Sequence, residues 1–424
     1  MISPFIAALL VDTMGRKISV IAVAVSLLLI WSVQIFLRDV FLLCVIRLVF
    51  GLLNGVHDVT SSIYTTENCS TDLRGVIGST VTVVFYAGCC IELALASYLE
   101  YETVAVINTI IALCALGPMY FCAETPYFLI MQEKFYKAEQ KLVWLRGGSI
   151  KQNELSNTME KLKQNVQEEK RKRRSMKALF TSKANFKSMY IVLILYTMSA
   201  ATGHGAIAPY SSTIFSPSKT LTSNHFTILY GVMNFVAVCF SPFIVKMISR
   251  RTLMIVSFVI MALCNVSAFV LFYFQNRNYE IVGFPWLIFV SVASYGATRS
   301  IQFPATFVIR GELLPLSVRA IGGCMAVVVN AGATFCASKM FLPITDALGM
   351  ETNFLIYTLL CTFMIFFTYY VLPETKGIPL EEIQLSLEGK KSIPDELPRH
   401  FNIVHYKTGN NKFTLTNNHS RVKY

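Results

Sequence analysis

The segment RLVFGLLNGVHDVTSSIYTTENCSTDLRG, residues 47–75, begins as an apolar helix and ends in charge. Gly51 and Gly55 are four residues apart, so they share a face and let a second helix approach closely, as helices packed in lipid do. The helix then gathers polar residues and closes on Glu67, with Arg74 and Gly75 just beyond. An acid at the end of a span, with Arg47 and Arg74 at the two ends of the stretch, predicts a charge cluster at a membrane face.

The rest of the chain agrees with a membrane setting. Of 424 residues, 54% are hydrophobic and only 15% charged, against about 45–50% and about 25% in soluble domains. The charge is concentrated between long apolar runs, which is the pattern of a polytopic helical membrane protein. The formal net charge of +12 therefore reads as positive-inside bias, with no call for nucleic acid. The eleven cysteines lie mostly inside apolar spans as small hydrophobes. They form no CxxC or Cys/His cluster, so neither disulfide framework, metal nor other cofactor is expected. No cleavable signal peptide is expected, since Met1–Val11 lacks a basic n-region and a small-residue cleavage site.

A span needs about 20 apolar residues. Met1–Val11 reads as the last half of a helix whose beginning is absent. Complete spans read at Ile18–Leu37, Val40–Tyr64, Val76–Tyr98, Thr103–Cys122, Ser188–Phe215, Phe226–Met247, Leu253–Phe274, Val282–Ile309, Ala320–Leu342 and Phe354–Leu372. The expected organisation is a truncated N-terminal bundle (1–122), a connecting loop with short helices (123–187), a C-terminal six-helix bundle (188–372) and a tail (373–424). The basic loops fall on one side, which makes that side, the 123–187 loop and the tail cytoplasmic. Tyr127–Leu145 reads as one helix with Phe128, Met131, Phe135, Leu142 and Leu145 in a loose apolar stripe, either lying on the membrane face or serving as a connector. The run KRKRR at 170–174 reads as a contact for anionic headgroups. The sequons at Asn68, Asn265 and Asn418 fall in a cytoplasmic loop, a span and the tail, and none is expected to carry glycan.

A loop signature recurs. Asp12-Thr-Met-Gly15-Arg16-Lys17 joins the first two spans, and Lys246-Met-Ile-Ser249-Arg250-Arg251 stands at the corresponding place in the second half without the acid and the glycine. Matching loops point to an internal duplication, as in secondary transporters.

Five motifs, in order, carry a resemblance. They are Asp12-x-x-Gly15-Arg16-Lys17; Arg47-x3-Gly51-x3-Gly55 running on to Tyr64, Glu67, Arg74 and Gly75; Glu124-Thr-Pro126; Gly311-Glu312-x-x-Pro315-x3-Arg319; and Pro373-Glu374-Thr-Lys-Gly377 with Leu380-Glu381-Glu382-Ile383. On these the chain resembles the sugar porter family of the major facilitator superfamily, and within it insect facilitated trehalose transporter-like sequences. The resemblance implies an all-α membrane protein of two six-helix bundles, here with the first helix and part of the second missing, that works by alternating access. It implies cytoplasmic gate salt bridges among Asp12, Arg16, Lys17, Arg47, Glu67, Arg74, Glu124, Arg250, Arg251, Glu312, Arg319 and Glu374. If such pairs are exposed they are worth about 0–1 kcal/mol each, which suits a latch that opens every cycle.

The resemblance also implies a sugar site, and here the chain departs from it. Asn234 and Asn330 match the family's amides. Its paired glutamines read Ser199-Ala200-Ala-Thr202-Gly203, another glutamine is Thr82, and its proline-rich segment ending in tryptophan reads Gln302-Phe-Pro304-Ala-Thr306-Phe307. The aromatic after Asn330 is Ala331. The lost glutamines remove partners for sugar hydroxyls. New ionisable residues stand inside spans: His57, Asp58, Glu92, His204 and Arg299. Each is a functional candidate by its position, although Glu92 and Arg299 are placed near the outer ends and solvated.

The candidate substrate residues are thus Asn234, Asn330, Thr82, Ser199, Phe307, Asp58 and His204. The expected function is facilitated diffusion of a hexose or trehalose-like sugar across a bilayer, in the plasma membrane. The alternatives are a non-transporting sensor of the same fold and a carrier of a small organic ion. An enzyme is not expected, since Gly147-Gly148 has no phosphate-loop context and no catalytic spacing occurs.

Overall fold

A computed structural model describes residues 7, 10–11, 13–69, 71–146, 152–172, 183–215, 223–279, 283–314, 319–376, 383, 416–417 and 420–421. Asp12, Arg173 and Arg174 of KRKRR and Leu380–Glu382 of the last motif lie outside them, as do the side chains of Arg74, Arg319 and the rest of KRKRR. The described chain is almost wholly helical; its strands are one short antiparallel pair, Thr416–Asn417 with Ser420–Arg421.

Four long helices open the chain: α1 (Arg16–Gln34), α2 (Val40–Asn68), α3 (Thr71–Tyr98) and α4 (Tyr101–Phe121). Three amphipathic helices follow, α5 (Pro126–Met131), α6 (Phe135–Leu145) and α7 (Gln152–Lys172). The second long group is α8 (Lys183–Ala201) with the short α9 (His204–Ile207) and α10 (Ser211–Phe215), then α11 (Ser223–Met247), α12 (Arg250–Asn276), α13 (Phe284–Leu313), α14 (Arg319–Leu348) and α15 (Met350–Val371).

Nine described helical stretches are long and apolar enough to cross a membrane. Their outer faces carry exposed Phe41, Leu48, Phe85, Leu113, Phe243 and Leu359, a coat that only lipid can cover favourably. Helix α13, read as a span in the sequence, is not among the nine. It has 30 residues, about 45 Å at 1.5 Å per residue, but carries Arg299, Gln302, Arg310 and Glu312. Those polar residues are tolerated because α13 is packed between α11 and α12 and buries Arg299 and Gln302.

The stretch read as one span at Ser188–Phe215 is broken. Gly203 has φ +124°, a conformation that side chains resist, and there α8 ends and α9 begins. A Cβ on Gly203 would lie 2.9 Å from Ile207 and 3.2 Å from the Tyr295 hydroxyl, while that hydroxyl donates to the Thr202 carbonyl at 3.2 Å. A freed backbone carbonyl is thereby satisfied inside the bundle, as an interrupted membrane helix requires.

The single helix expected at Tyr127–Leu145 is two. Glu133, with φ +62°, turns the chain between α5 and α6. Thr125 caps α5 by accepting from the Phe128 amide at 3.3 Å, and Pro126 takes the first helical turn, where its missing N–H costs nothing. The apolar stripe is also shorter than expected, for Phe135 is 43% exposed. Leu129, Ile130, Ala138 and Leu142 are buried against Leu155, Met159 and Val166 of α7. Helix α7, and not lipid, covers this face.

Substituting Gly203→Ala forces a left-handed residue against packed neighbours, at a cost of about 1–3 kcal/mol. The expected outcome is a melting temperature in detergent several degrees below wild type; an unchanged melt would show that the break at Gly203 does not need glycine.

Candidate functional site: two helix-end clusters and a buried polar stripe

At one end of the first helical group, carboxylates gather the starts and ends of α1, α2 and α4. The Glu124 carboxylate accepts from the Arg16 amide (3.1 Å) and the Lys17 amide (3.1 and 3.3 Å). These are orphan donors of the first turn of α1, where a negative charge also meets the positive end of the helix dipole. Arg16 Nε donates to both oxygens of Glu67 at 3.1 and 3.0 Å, and Nη2 to one at 3.0 Å. Thr125 donates to the same carboxylate at 2.6 Å. The guanidinium also lies 5.1 Å from the Phe128 ring centre.

The second group repeats the arrangement. Glu374 accepts from the Arg250 amide at 3.0 Å and the Arg251 amide at 3.2 Å, at the start of α12. Thr375 donates to Glu312 at 2.6 Å, and Arg250 pairs with Glu312 at 3.6 Å. Arg16 reaches the Val11 carbonyl as Arg250 reaches that of Val245. Lys17 reaches the Tyr120 carbonyl as Arg251 reaches that of Tyr369.

The second loop, which lacks the acid and the glycine of the first, makes the same helix-end contacts. Where Gly15 uses φ +96°, Ser249 has φ −66° and accepts from the Thr252 amide as an ordinary N-cap. Burial acts to raise the Glu374 pKa. The Lys376 amide, the Ser249 hydroxyl and the Arg250 and Arg251 amides outweigh it and hold the carboxyl below its ordinary value.

Two expectations change here. Arg47 does not join a cluster: it is exposed on α2, twenty residues before Glu67, or about 30 Å along the helix. The Arg16–Glu67 pair is no exposed latch either, with side chains only 5% and 15% exposed. The described pairs lie within each helical group and none joins the two. Contact between the groups runs through α3 and α11, at the far end from the clusters, where Asn224 donates to the Ser97 carbonyl at 2.8 Å and His225 meets the Tyr98 ring.

Mid-membrane, α8, α11 and α13 turn polar side chains inward. Arg299, expected near the outer end and solvated, is instead central in α13 and 2% exposed. Its Nη2 donates to Ser199 of α8 at 2.6 Å, and its guanidinium lies 4.7 Å from the Phe303 ring centre. Arg299 Nε and Nη1, both amide atoms of Gln302, the hydroxyls of Thr202 and Tyr196, and Asn234 Oδ1 are buried with no hydrogen-bond partner among the described residues. Tyr86 of α3 reaches the same region, and it lies near enough to Arg299 to feel its charge, as do Tyr295, Tyr196, Tyr230 and His204.

The other candidates divide. Asn330 donates to the Tyr196 carbonyl at 2.8 Å, tying α14 to α8. Phe307 is partly exposed beside Tyr196, ring centres 6.1 Å apart. His204 begins α9 and is half-buried, and Thr82 is half-buried on α3. Asp58 is exposed on α2, and no described hydrogen bond or ion pair joins its carboxylate to the stripe. Glu92 is tied to α4 through Asn108 at 3.2 and 3.3 Å. Sequence reading passed over Gln302, Tyr196 and Thr202 as polar groups of the site. Their spacing of three from Arg299 or Ser199 was the available signal.

Duplicated helix-end clusters around a polar stripe in an all-helical membrane protein are the geometry of a transporter, and known proteins agree. Residues 1–387 match the family model described as "Sugar (and other) transporter". The chain belongs to this family. It is 26% identical over 93% of its length to the facilitated trehalose transporter Tret1 of Polypedilum vanderplanki, covering 79% of that protein. It is 26% identical over 89% of its length to that of Bombyx mori, covering 75%. Against the Aedes aegypti protein the identity is 25%, and the chain spans 49% of that relative's length. Among solved structures it is similar to the inward open conformation of the xylose transporter XylE from E. coli, with a TM-score of 0.73 at 18% identity, covering 91% of this chain and 86% of that one. XylE bound to 6-bromo-6-deoxy-D-glucose gives 0.70 over the same shares. The fold is that of the major facilitator superfamily.

Breaking a buried pair by removing one partner costs about 3–5 kcal/mol. Arg16→Ala is therefore expected to lower the melting temperature well below that of Arg250→Ala, whose pair is longer and 14% and 28% exposed; equal losses would show the two clusters to be equally tight. A carboxylate with a depressed folded pKa stabilises above its unfolded value and loses that contribution as pH falls through the folded one. Melting curves of wild type and Glu374→Gln should thus differ at neutral pH and converge below the ordinary carboxylate range. Parallel curves down to pH 3 would remove Glu374 from the acid response.

Proposed function

We propose that the chain moves a sugar across a membrane by facilitated diffusion, the substrate lodging between the two helical groups against α8, α11, α13 and α3. The observation that carries this reading is the stripe of buried, unpartnered polar atoms on Gln302, Asn234, Thr202 and Tyr196. A buried polar group without a partner costs about 1–3 kcal/mol, so such a stripe is stable only if water or a polyhydroxylated ligand fills it. Phe303, Phe307 and Tyr196 supply the apolar face a sugar ring needs.

In this reading residues 1–122 and 188–372 are the two moving bodies, 123–187 joins them and 373–424 is a tail. The two helix-end clusters, the joining segment and the tail face the cytoplasm of a plasma-membrane protein, in keeping with the basic loops. Asn234, Gln302 and Thr202 meet hydroxyls. Asn330 and Ser199 position the helices through Tyr196 and Arg299. Thr82, Phe307 and His204 border the route, and Asp58 on α2 has no described hydrogen bond or ion pair to the stripe. The relatives named above are facilitated trehalose transporters, which makes trehalose and glucose the first substrates to test.

Radiolabelled glucose and trehalose uptake in transporter-deficient cells, with and without a proton gradient, tests the reading. Saturable uptake independent of the gradient is expected. Asn234→Ala should reduce it about tenfold, the worth of one lost hydrogen bond in a water-poor site, while Asn330→Ala should lower stability as well. No uptake of either sugar by protein shown at the cell surface would overturn the proposal.

A further inference from the structure

We infer that the stripe is built around an anion, and that the preferred substrate is a sugar acid, carrying one carboxylate, over a neutral sugar. This rests on the transport reading above and names the substrate class of the same site.

The argument begins with Arg299. A guanidinium in the middle of a membrane helix is costly unless a partner or water compensates it, and arginine stays charged even when buried. Among the described residues Arg299 has one hydrogen bond, to the neutral Ser199 hydroxyl, and no ion pair with Asp or Glu. The titratable side chains near enough to feel its charge are four neutral tyrosines and His204. Its face is set against the Phe303 ring, and such stacking fixes the guanidinium plane and leaves its edges for a ligand. Nε and Nη1 on those edges are unpartnered.

The surroundings say what else the ligand carries. On α13, Gln302 lies three residues beyond Arg299, on the same face. Tyr196 on α8 and Thr202 just past its end lie three residues either side of the serine that Arg299 contacts. Asn234 comes from α11 and packs with Tyr230 against the α13 backbone at Gly296. The unpartnered atoms of these helices thus include a side-chain amide, two hydroxyls and an amide oxygen, and a second guanidinium, that of Arg310, lies 5.5 Å from the Tyr196 ring centre. An inorganic anion would use the guanidinium and leave the rest empty. A hydroxylated carboxylate uses both, with its carboxylate on Arg299 by charge-assisted hydrogen bonds and its hydroxyls on Gln302, Asn234, Thr202 and Tyr196.

Binding and transport are measured separately on the full chain. In detergent, thermal stabilisation by D-glucuronate, D-glucose and sodium chloride at matched ionic strength reports binding. In proteoliposomes, uptake of labelled glucuronate and glucose reports transport. The inference expects glucuronate to bind more tightly than glucose. Arg299→Gln should weaken glucuronate by about 10- to 100-fold, the worth of a hydrogen bond to a charged group, and weaken glucose by a smaller factor. Arg299→Lys should restore part of the loss. Glucose binding as well as glucuronate in the wild type would overturn it, whatever the variants do. So would stabilisation by chloride that glucuronate does not exceed, since the anion would then be inorganic. Glucuronate binding without any uptake would support the site and overturn the transport reading. Glucose uptake without preferential glucuronate binding would do the reverse.

Discussion

Everything else in the structure hangs on how the helix ends are closed at one membrane face. A helix that starts there leaves amides without partners, and the adjoining lipid can supply none. Glu124 meets two of those amides at the start of α1, and Glu374 meets two at the start of α12. Each acid follows the last span of its group, so one carboxylate ties the end of a helical group to its beginning. Glu67 and Glu312 bring the long helix between them into the same joint through Arg16, Arg250 and the threonines that follow Glu124 and Glu374. The fold is fixed at these two joints, and the apolar faces need only cover the remainder.

The duplication was readable because it is made of short local loops with charged residues at fixed spacing. The state of the second loop was not. The second loop lacks Gly15's counterpart, but serine meets the same need by another route: glycine supplies a positive φ, serine a side-chain cap. Arg47 could have been excluded from the sequence alone, since twenty helical residues separate it from Glu67. The break at Gly203 and the turn at Glu133 were hidden inside apolar runs whose length satisfied a span or a helix. Depth was the harder quantity. Arg299 and Glu92 both sit in spans, and composition does not say which is central; packing by α11 and α12 places Arg299 in the middle of α13.

The expected sugar-binding glutamines of α8 are absent, and that had counted against a working cavity. The structure moves the polar inventory instead of emptying it. Gln302 supplies an amide from α13, and Ser199, too small to reach a ligand itself, leaves the room that Arg299 occupies. A substitution that looks like loss along one helix is, across two helices, a change in which polar groups stand there.

Stiff joints also constrain movement. With Arg16 buried and forked onto Glu67, and with Glu124 on the backbone of α1, the first group cannot open at its own helix ends without exposing several unpaired groups at once. The described contact between the groups is of another kind. It is one side-chain amide on a carbonyl and one ring edge, beside the packing of α3 on α11. Such contacts are worth about 1 kcal/mol apiece. The described charged joints lie within each group, while α3 packs on α11 of the second group as extensively as α1 packs on α2.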